Sequence, residues 1–443
     1  MRKLCASLII GGGLLCCGGA SAQAAQGVES SSALFQKLLL EPDRVDLNAA
    51  YIRAQIAEGH LQPAAAALER LLLLHPEADE LRLLYAILLV RLDDPSTAQQ
   101  ELGKIVPDHL TPARRQEYEA ITHVVTSRQQ RLRQAVTAGW GLHQDSNRNS
   151  APSSNQVLMS DLPFTVQGQA RRQSDAGQRL SLGYEADYDL GKDPRQSLYL
   201  NAQSMIDHQF DLHRYDMQAG TIETGLHGAA EGWDWQGGLL STQLGLGGGY
   251  YLNEDGVVVR LSRRLSPAWD LGGDARLSHQ RFHAVATDPA GGDYSGWERE
   301  GWLTLRYLSP DWGHWSAGLG MRDRLALAHW LSAHRDAVRV GDTLSLSYGQ
   351  IVNLSAEAGL TRYHLANLQI SPLTRRDQDL KLAMTYAVPF GGIADWGGWS
   401  LPDDLRGVTL SLRQEMDRTV SNLTNYTTTN LRSEILLTQR WEY

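Results

Sequence analysis

Apolar residues along this chain change their period near residue 135. Between about Val28 and Gln134 they recur three and four apart in a stretch rich in Ala, Leu, Glu, Gln and Arg, which predicts amphipathic helices. From Ala135 the period is two. Leu180, Leu182, Tyr184, Ala186, Tyr188 and Leu190 alternate with Arg179, Ser181, Gly183, Glu185, Asp187 and Asp189. The chain ends in the same way, with Leu431, Ile435, Leu437, Trp441 and Tyr443 alternating with Arg432, Glu434, Arg440 and Glu442. Successive side chains of a strand point to opposite faces, so each of these strands has one apolar, aromatic face and one charged face.

The pattern predicts fourteen strands. After the first, near Val136–Leu142, and the second, near Arg179–Leu190, come strands near Leu198–Ile206, Arg214–Leu226, Trp233–Leu246, Gly256–Leu265, Trp269–Arg281, Trp297–Leu308, His314–Arg324, Ala337–Tyr348, Ile351–His364, Asp377–Val388, Gly407–Arg418 and Asn430–Tyr443. Short connections (Gly191–Arg195, His227–Gly232, Ser266–Ala268, Ser309–Gly313) alternate with long ones rich in Asp, Asn, Gly and Ser (Gln144–Gly177, Ala284–Gly296, Leu325–Asp336, Leu365–Arg376). An even count, amphipathic strands, unequal connections and an aromatic last residue are the marks of an antiparallel transmembrane β-barrel, which must close because open strand edges leave unpaired donors in hydrocarbon. The lumen face is expected to include Glu185, Asp187, Arg432, Glu434 and Arg440, and strand-end aromatics (Trp140, Trp269, Trp315, Trp441, Tyr443) to form interfacial girdles. The long stretch Pro389–Arg406 breaks the alternation where a short turn is due, and contact with the helical segment is the one role the sequence suggests for it.

Within the helical segment, Tyr51 recurs as Tyr85, Ala64 as Ala98, Leu68 as Leu102 and Leu71 as Ile105, at the 34-residue period of a tetratricopeptide repeat. Two copies need extra helices to cover their core, and Ser30–Leu40 and Pro112–Arg133 can supply them. The expected division is 1–24, 25–134 as an all-α tetratricopeptide-repeat domain, and 135–443 as the barrel. Asp46, Ala49, Arg53, Glu80, Leu83, Ile87 and Arg91 would line the groove used to bind a partner, with Arg53, Leu83, Ile87 and Arg91 the named client-binding candidates. Alternatively, Leu83 and Ile87 pack on the capping helix.

Composition narrows the picture. Mean hydropathy is −0.33 and the only long apolar run is Leu4–Leu15, which follows Arg2 and Lys3 and leads to Ala20-Ser21-Ala22 and Ala22-Gln23-Ala24. This has the form of a secretory signal peptide cleaved after Ala22 or Ala24. All three cysteines lie inside it, so the mature chain is expected to have no disulfide and no thiol chemistry. The net charge of −9 leaves no basic footprint for nucleic acid.

Neither a zincin motif nor a Walker loop nor a nucleophile elbow is present, and no catalytic set, metal or cofactor is assigned. Gly245-Leu246-Gly247-Gly248-Gly249-Tyr250 lacks the last dinucleotide-binding glycine and reads as a loop or strand end. Asp145-Ser146-Asn147-Arg148-Asn149 opens like a calcium loop but has Ser150 and Gln156 where Gly and Glu are required. His208 and His213, five apart, read as solvated loop residues.

The order of signal peptide, short repeat domain and C-terminal barrel, with the exit of the first strand Gly139-Trp140-Gly141-Leu142-His143-Gln144-Asp145-Ser146-Asn147-Arg148-Asn149-Ser150-Ala151-Pro152, resembles the surface lipoprotein assembly modulator (Slam) family of type XI secretion outer-membrane translocons. The resemblance implies a non-enzymatic exporter in the outer membrane of a Gram-negative bacterium, its repeats in the periplasm, moving a surface lipoprotein or a secreted haem- or metal-scavenging client without nucleotide hydrolysis. It places Asp145, Asn147 and Asn149 at the barrel entrance. Trp441 and Tyr443 become the assembly signal read by the barrel-insertion machinery, and the chain is expected to be a monomer. A polysaccharide exporter with periplasmic repeats is the alternative, and a diffusion porin a third reading.

Overall fold

The computed structural model describes residues 31–443 except 42–43, 93, 130, 193–195 and 310–312, so the expected signal peptide lies outside the described residues. The chain divides between residues 130 and 131 into two compact units.

The first unit is helical: α1 (Ser31–Leu40), α2 (Val45–Ala57), α3 (Leu61–Leu74), α4 (Asp79–Arg91), α5 (Pro95–Leu102) and α6 (Pro112–Gln129), each packed on the next. Val45 and Asp79, which open α2 and α4, are 34 residues apart, as are Leu61 and Pro95, which open α3 and α5. The repeat is one of packing as well as sequence. Tyr51 and Tyr85, Ala64 and Ala98, Leu68 and Leu102, Leu71 and Ile105 are all buried in one core, and both alanines are fully buried where paired helices approach. Gly59 makes the first turn at φ +80°. The second copy caps its helix with Asp94, whose carboxylate accepts from the Thr97 backbone N–H at 3.0 Å. That bond, with hydroxyl bonds from Thr97 and Ser96, holds the Asp94 carboxyl below its ordinary range.

The second unit is a closed antiparallel barrel of fourteen strands: β1 (Leu132–Asp145), β4 (Asp175–Asp189), β5 (Gln196–Gln209), β6 (Met217–Ala230), β7 (Trp233–Leu246), β8 (Gly249–Arg264), β9 (Trp269–Phe282), β10 (Gly296–Ser309), β11 (Gly313–Ala326), β12 (Ala333–Ser345), β13 (Ile351–Tyr363), β14 (Arg376–Pro389), β15 (Thr409–Ser421) and β16 (Thr428–Glu442). Each pairs with its sequence neighbour in the wall, and β1 closes the ring against β16. Accessibility is inverted relative to a soluble sheet. Leu180 and Leu182 are about half exposed, whereas Asp187 and Asp207 on the opposite parity are buried. Hydrocarbon, not water, is the solvent that makes this arrangement stable. Among the described residues no helix is long and apolar enough to cross a membrane.

One end of the barrel carries most of the short turns and the other most of the long loops, the two-residue Gly247-Gly248 turn and the long connection from β14 to β15 being the exceptions. At the turn end the rings of Trp269 and Tyr307 lie 4.8 Å apart and Trp315, Trp441 and Tyr443 are exposed, as a girdle requires. Trp140 differs from expectation: it sits within β1, paired with Leu180 and Leu437, and belongs to the apolar band.

Three segments depart from the sequence reading. The loop after β1 holds a hairpin, β2 (Gln156–Met159) with β3 (Leu162–Thr165), turned by Ser160 and Asp161 at positive φ. Four-residue strands are too short for periodicity to register. Strand β8 starts at Gly249 because Gly247 and Gly248, both at positive φ, make a tight turn, and the ladder then runs through Asn253, Glu254 and Asp255, residues that read as loop. The Pro389–Arg406 stretch folds as α7 (Phe390–Gly397) and α8 (Asp403–Arg406). Helix α7 packs against the Ser347–Gly349 turn between β12 and β13, and a Cβ on Gly392 would meet the Tyr348 carbonyl.

Candidate functional site at the barrel seam and lumen

The seam between β1 and β16 runs in continuous register from Ala135 opposite Glu442 to Asp145 opposite Arg432. Ala138 faces Gln439 across it and Trp140 faces Leu437. Odd residues of β1 and even residues of β16 point into the lumen, where the side chains divide the seam into three zones.

At the loop end lies a buried charge network. His143 Nε2 is 2.7 Å from Asp207 Oδ1 and Nδ1 is 3.3 Å from Asp145 Oδ2, with none of these three side chains more than 3% exposed. Arg179 reaches Asp207 and Glu434 at 3.1 Å each. Arg432 bridges Asp145 at 3.4 Å and Asp207 at 3.6 Å, and the Gln209 amide donates to Asp207 at 2.6 Å. First strand, last strand and the next two strands are thus joined through one cluster. Charges this deep persist only when each has an opposite partner.

The exit of β1 completes this lock. Asn430 donates to Asp145 and accepts from the Asn147 backbone N–H at 2.8 Å. The Asn147 side chain donates to the Ala151 and Thr429 carbonyls, and Asn149 ties the Gln169 and Arg171 carbonyls and the Gln173 N–H. Their oxygens are engaged in holding the loop, which explains an Asp/Asn-rich run without invoking a calcium ion. The loop then crosses to its neighbours: Ser153 N–H donates to Thr427 and Ser160 N–H to Gln369.

The middle zone carries no charged tie. Gly139 and Gly141 face Thr438 and Leu436 respectively, and a Cβ on Gly141 would come within 2.5 Å of the Ile435 carbonyl. At the turn end Arg440 reaches over β1 to Glu185 at 2.9 Å and to its neighbour Glu442, with both partners of the cross-strand pair more than a third exposed. Asp187 is held there by Arg133 at 2.6 Å and by His227. A second lumen cluster on the facing wall binds Glu298 and Glu300 between Arg276, Arg322 and Arg324.

Glu185, Asp187, Arg432, Glu434 and Arg440 lie on the same face of the wall as Asp145, at the end of β1, and take part in the ion pairs described. In the helical unit Arg53 and Arg91 are exposed and Ile87 is partly buried, but Leu83 is 1% exposed and belongs to the core. Leu83 is corrected from groove to core, because α4 is enclosed by both neighbours and by α6. Sequence reasoning missed the grouping of His143, Arg179 and Asp207. The available signal was that each sits on the charged parity at the same end of consecutive strands.

The family model for the surface lipoprotein assembly modifier matches residues 135–389, more than half of the chain. No curated protein matches. Among solved structures, Acinetobacter baumannii OccAB3 is 7% identical with a TM-score of 0.34, covering 70% of this chain and 99% of its own, and Pseudomonas aeruginosa OpdQ is 8% identical with a TM-score of 0.32, covering 71% and 99%. Similarity at that level carries no argument. A closed fourteen-strand wall, greasy outside and charged within, together with a match spanning most of it, makes this chain an outer-membrane member of the surface lipoprotein assembly modifier family.

Proposed function

We propose that the chain is a non-enzymatic translocon that passes a client protein from the periplasm to the cell surface, the helical repeats meeting the client on the periplasmic side. The observation that carries this reading is the seam: a buried charge lock at the loop end, a bare middle, and an exposed ion pair at the turn end. Such a seam parts most readily from the turn end, which is also the end at which both barrel termini lie. A client entering there would separate β1 from β16 while the outer lock preserves registry for reclosure. Two strands are the cheapest place to open a barrel, because β1 and β16 share no covalent turn.

The client is a surface lipoprotein, in keeping with the family, and a soluble haem- or metal-scavenging protein is the other form it takes. No nucleotide-binding motif is present, so folding of the client outside the cell supplies the drive. Trp441 and Tyr443 end an exposed strand face suited to recognition by the barrel-assembly machinery. A mixed to acidic lumen face, with Arg179 beside Glu185, Asp187 and Asp189, does not favour an anionic polysaccharide cargo.

The test replaces Ala138 and Gln439, which face each other on the outer side of the seam, with cysteines. Oxidation is expected to block surface display of the client in a protease-shaving assay and reduction to restore it. Unimpaired display with the seam crosslinked rules lateral passage out. If deleting the gene removes surface polysaccharide and no surface protein, the exporter of polysaccharide replaces this reading.

A further inference from the structure

The connection between β5 and β6 brings together three ligating side chains that serve no role in the seam or the lumen. His208, near the end of β5, and His213 and Asp216, in the following turn, place their ligating atoms all within 4.8 Å of one another. Asp216 Oδ2 lies 2.9 Å from His208 Nδ1 and 3.8 Å from His213 Nδ1. Ligands about 2.0–2.1 Å from a tetrahedral zinc ion are separated from each other by about 3.3 Å, and the two edges to Asp216 lie either side of that value, the shorter being a hydrogen bond that a metal would replace. The sequence spacing showed two histidines; only the turn supplies the third ligand.

Two features show that the arrangement is built. First, Asp216 is held in place: its other oxygen accepts from the Gln209 N–H at 2.7 Å, and its carbonyl accepts from the Gly247 N–H at 2.9 Å. The turn itself is pinned from β4, because Asp175 Oδ2 accepts the Leu212 N–H at 2.7 Å. Preorganised ligands lose little freedom on binding. Second, the two imidazoles stack with centroids 5.1 Å apart and planes 19° from parallel, although both are exposed. Stacking two exposed imidazoles gains little in water and is opposed if both are protonated, yet both rings stay beside the Asp216 carboxylate.

We propose that His208, His213 and Asp216 form a surface site for a borderline first-row metal ion, with zinc as the reference, leaving at least one coordination position open to water or to a group from outside. Two imidazoles and a single carboxylate select zinc, copper or nickel over calcium and magnesium, which take oxygen ligands. His208 shares the outward parity of Ile206 and Phe210, so the open position faces the outer rim of the barrel, not its lumen.

The test uses the full-length barrel protein, purified without a polyhistidine tag in detergent micelles and titrated calorimetrically with zinc chloride. The expected result is one zinc per chain, unaffected by millimolar magnesium, weakened about tenfold or more by His213→Ala and lost in the His208→Ala/His213→Ala pair. Cobalt(II) should give a visible ligand-field spectrum that Asp216→Asn alters. His329→Ala, in a different loop, is the control and should bind as the parent does. Heat-modified gel mobility checks that each variant is a folded barrel. No zinc binding by the parent, unchanged affinity in the double variant, or displacement by magnesium overturns the proposal.

Discussion

The two ends of the β1–β16 seam use the same residue types to different effect. At the loop end Asp145, His143 and Asp207 are shielded from solvent and meet Arg432 and Arg179 inside the wall. At the turn end Glu185 and Arg440 are paired at 2.9 Å yet remain open to water. An exposed pair contributes about 0–1 kcal/mol, whereas removing one partner from a buried set strands the others and costs about 3–5 kcal/mol. Ion pairs of comparable length therefore differ several-fold in what their loss does, and burial decides. A seam with one firm end and one weak end has a built-in direction of opening.

The comparison can be broken at its strong end first. Asp207→Ala removes the anion shared by His143, Arg179 and Arg432 and is expected to destabilise the barrel by about 3–5 kcal/mol in urea unfolding of the micellar protein. A change below about 1 kcal/mol would show that the cluster is not a lock. Next comes the bare middle. Gly141→Val places a Cβ against the Ile435 carbonyl, and the overpacking should cost about 1–3 kcal/mol and speed amide exchange at Gly139 through Leu142. Smaller still, and outside the seam, is Asp94→Ala, which removes a helix cap and should lower helical-unit stability by about 1 kcal/mol, read at 222 nm. Because the Asp94 carboxyl is held below its ordinary range in the folded state, its contribution is present above the unfolded value and is lost as pH falls through the folded one. The parent and Asp94→Ala should therefore converge in acid. The smallest effect belongs to the weak end: Arg440→Ala is expected to cost about 0.2–1 kcal/mol while increasing exchange at the turn-end amides of β1. Equal exchange protection along the whole of β1 in the parent protein would remove the directionality.

Much of this was legible in the chain. The switch of period at Ala135 marks where helices give way to strands, and the lumen parity of Glu185, Asp187, Arg432, Glu434 and Arg440 follows from alternation alone. The 34-residue recurrence of Tyr51, Ala64, Leu68 and Leu71 identified the positions that the structure buries. Alternation could not place Trp140 along the barrel axis, because a face says nothing about height. Nor could it tell that Leu83 is enclosed, because α4 is apolar nearly all round and its burial depends on α6 returning over it. The Asp/Asn run after β1 was visible as unusual, but its use in tying the loop to Asn430 and Gln169 requires partners nearly 300 and 20 residues away.

By itself the sequence determined which side of each wall strand faces lipid, how many strands the wall has and that it must close, because period and backbone hydrogen bonding are local properties with a global consequence. Only the tertiary structure decided which charged residues share a cluster. His143, Asp207 and Arg432 lie on three strands that meet only when the ring closes in one register, and a slip of two residues would keep every face and dissolve the lock. The triad of His208, His213 and Asp216 has the same origin at smaller scale, in a turn whose shape is set by Asp175 on the neighbouring strand.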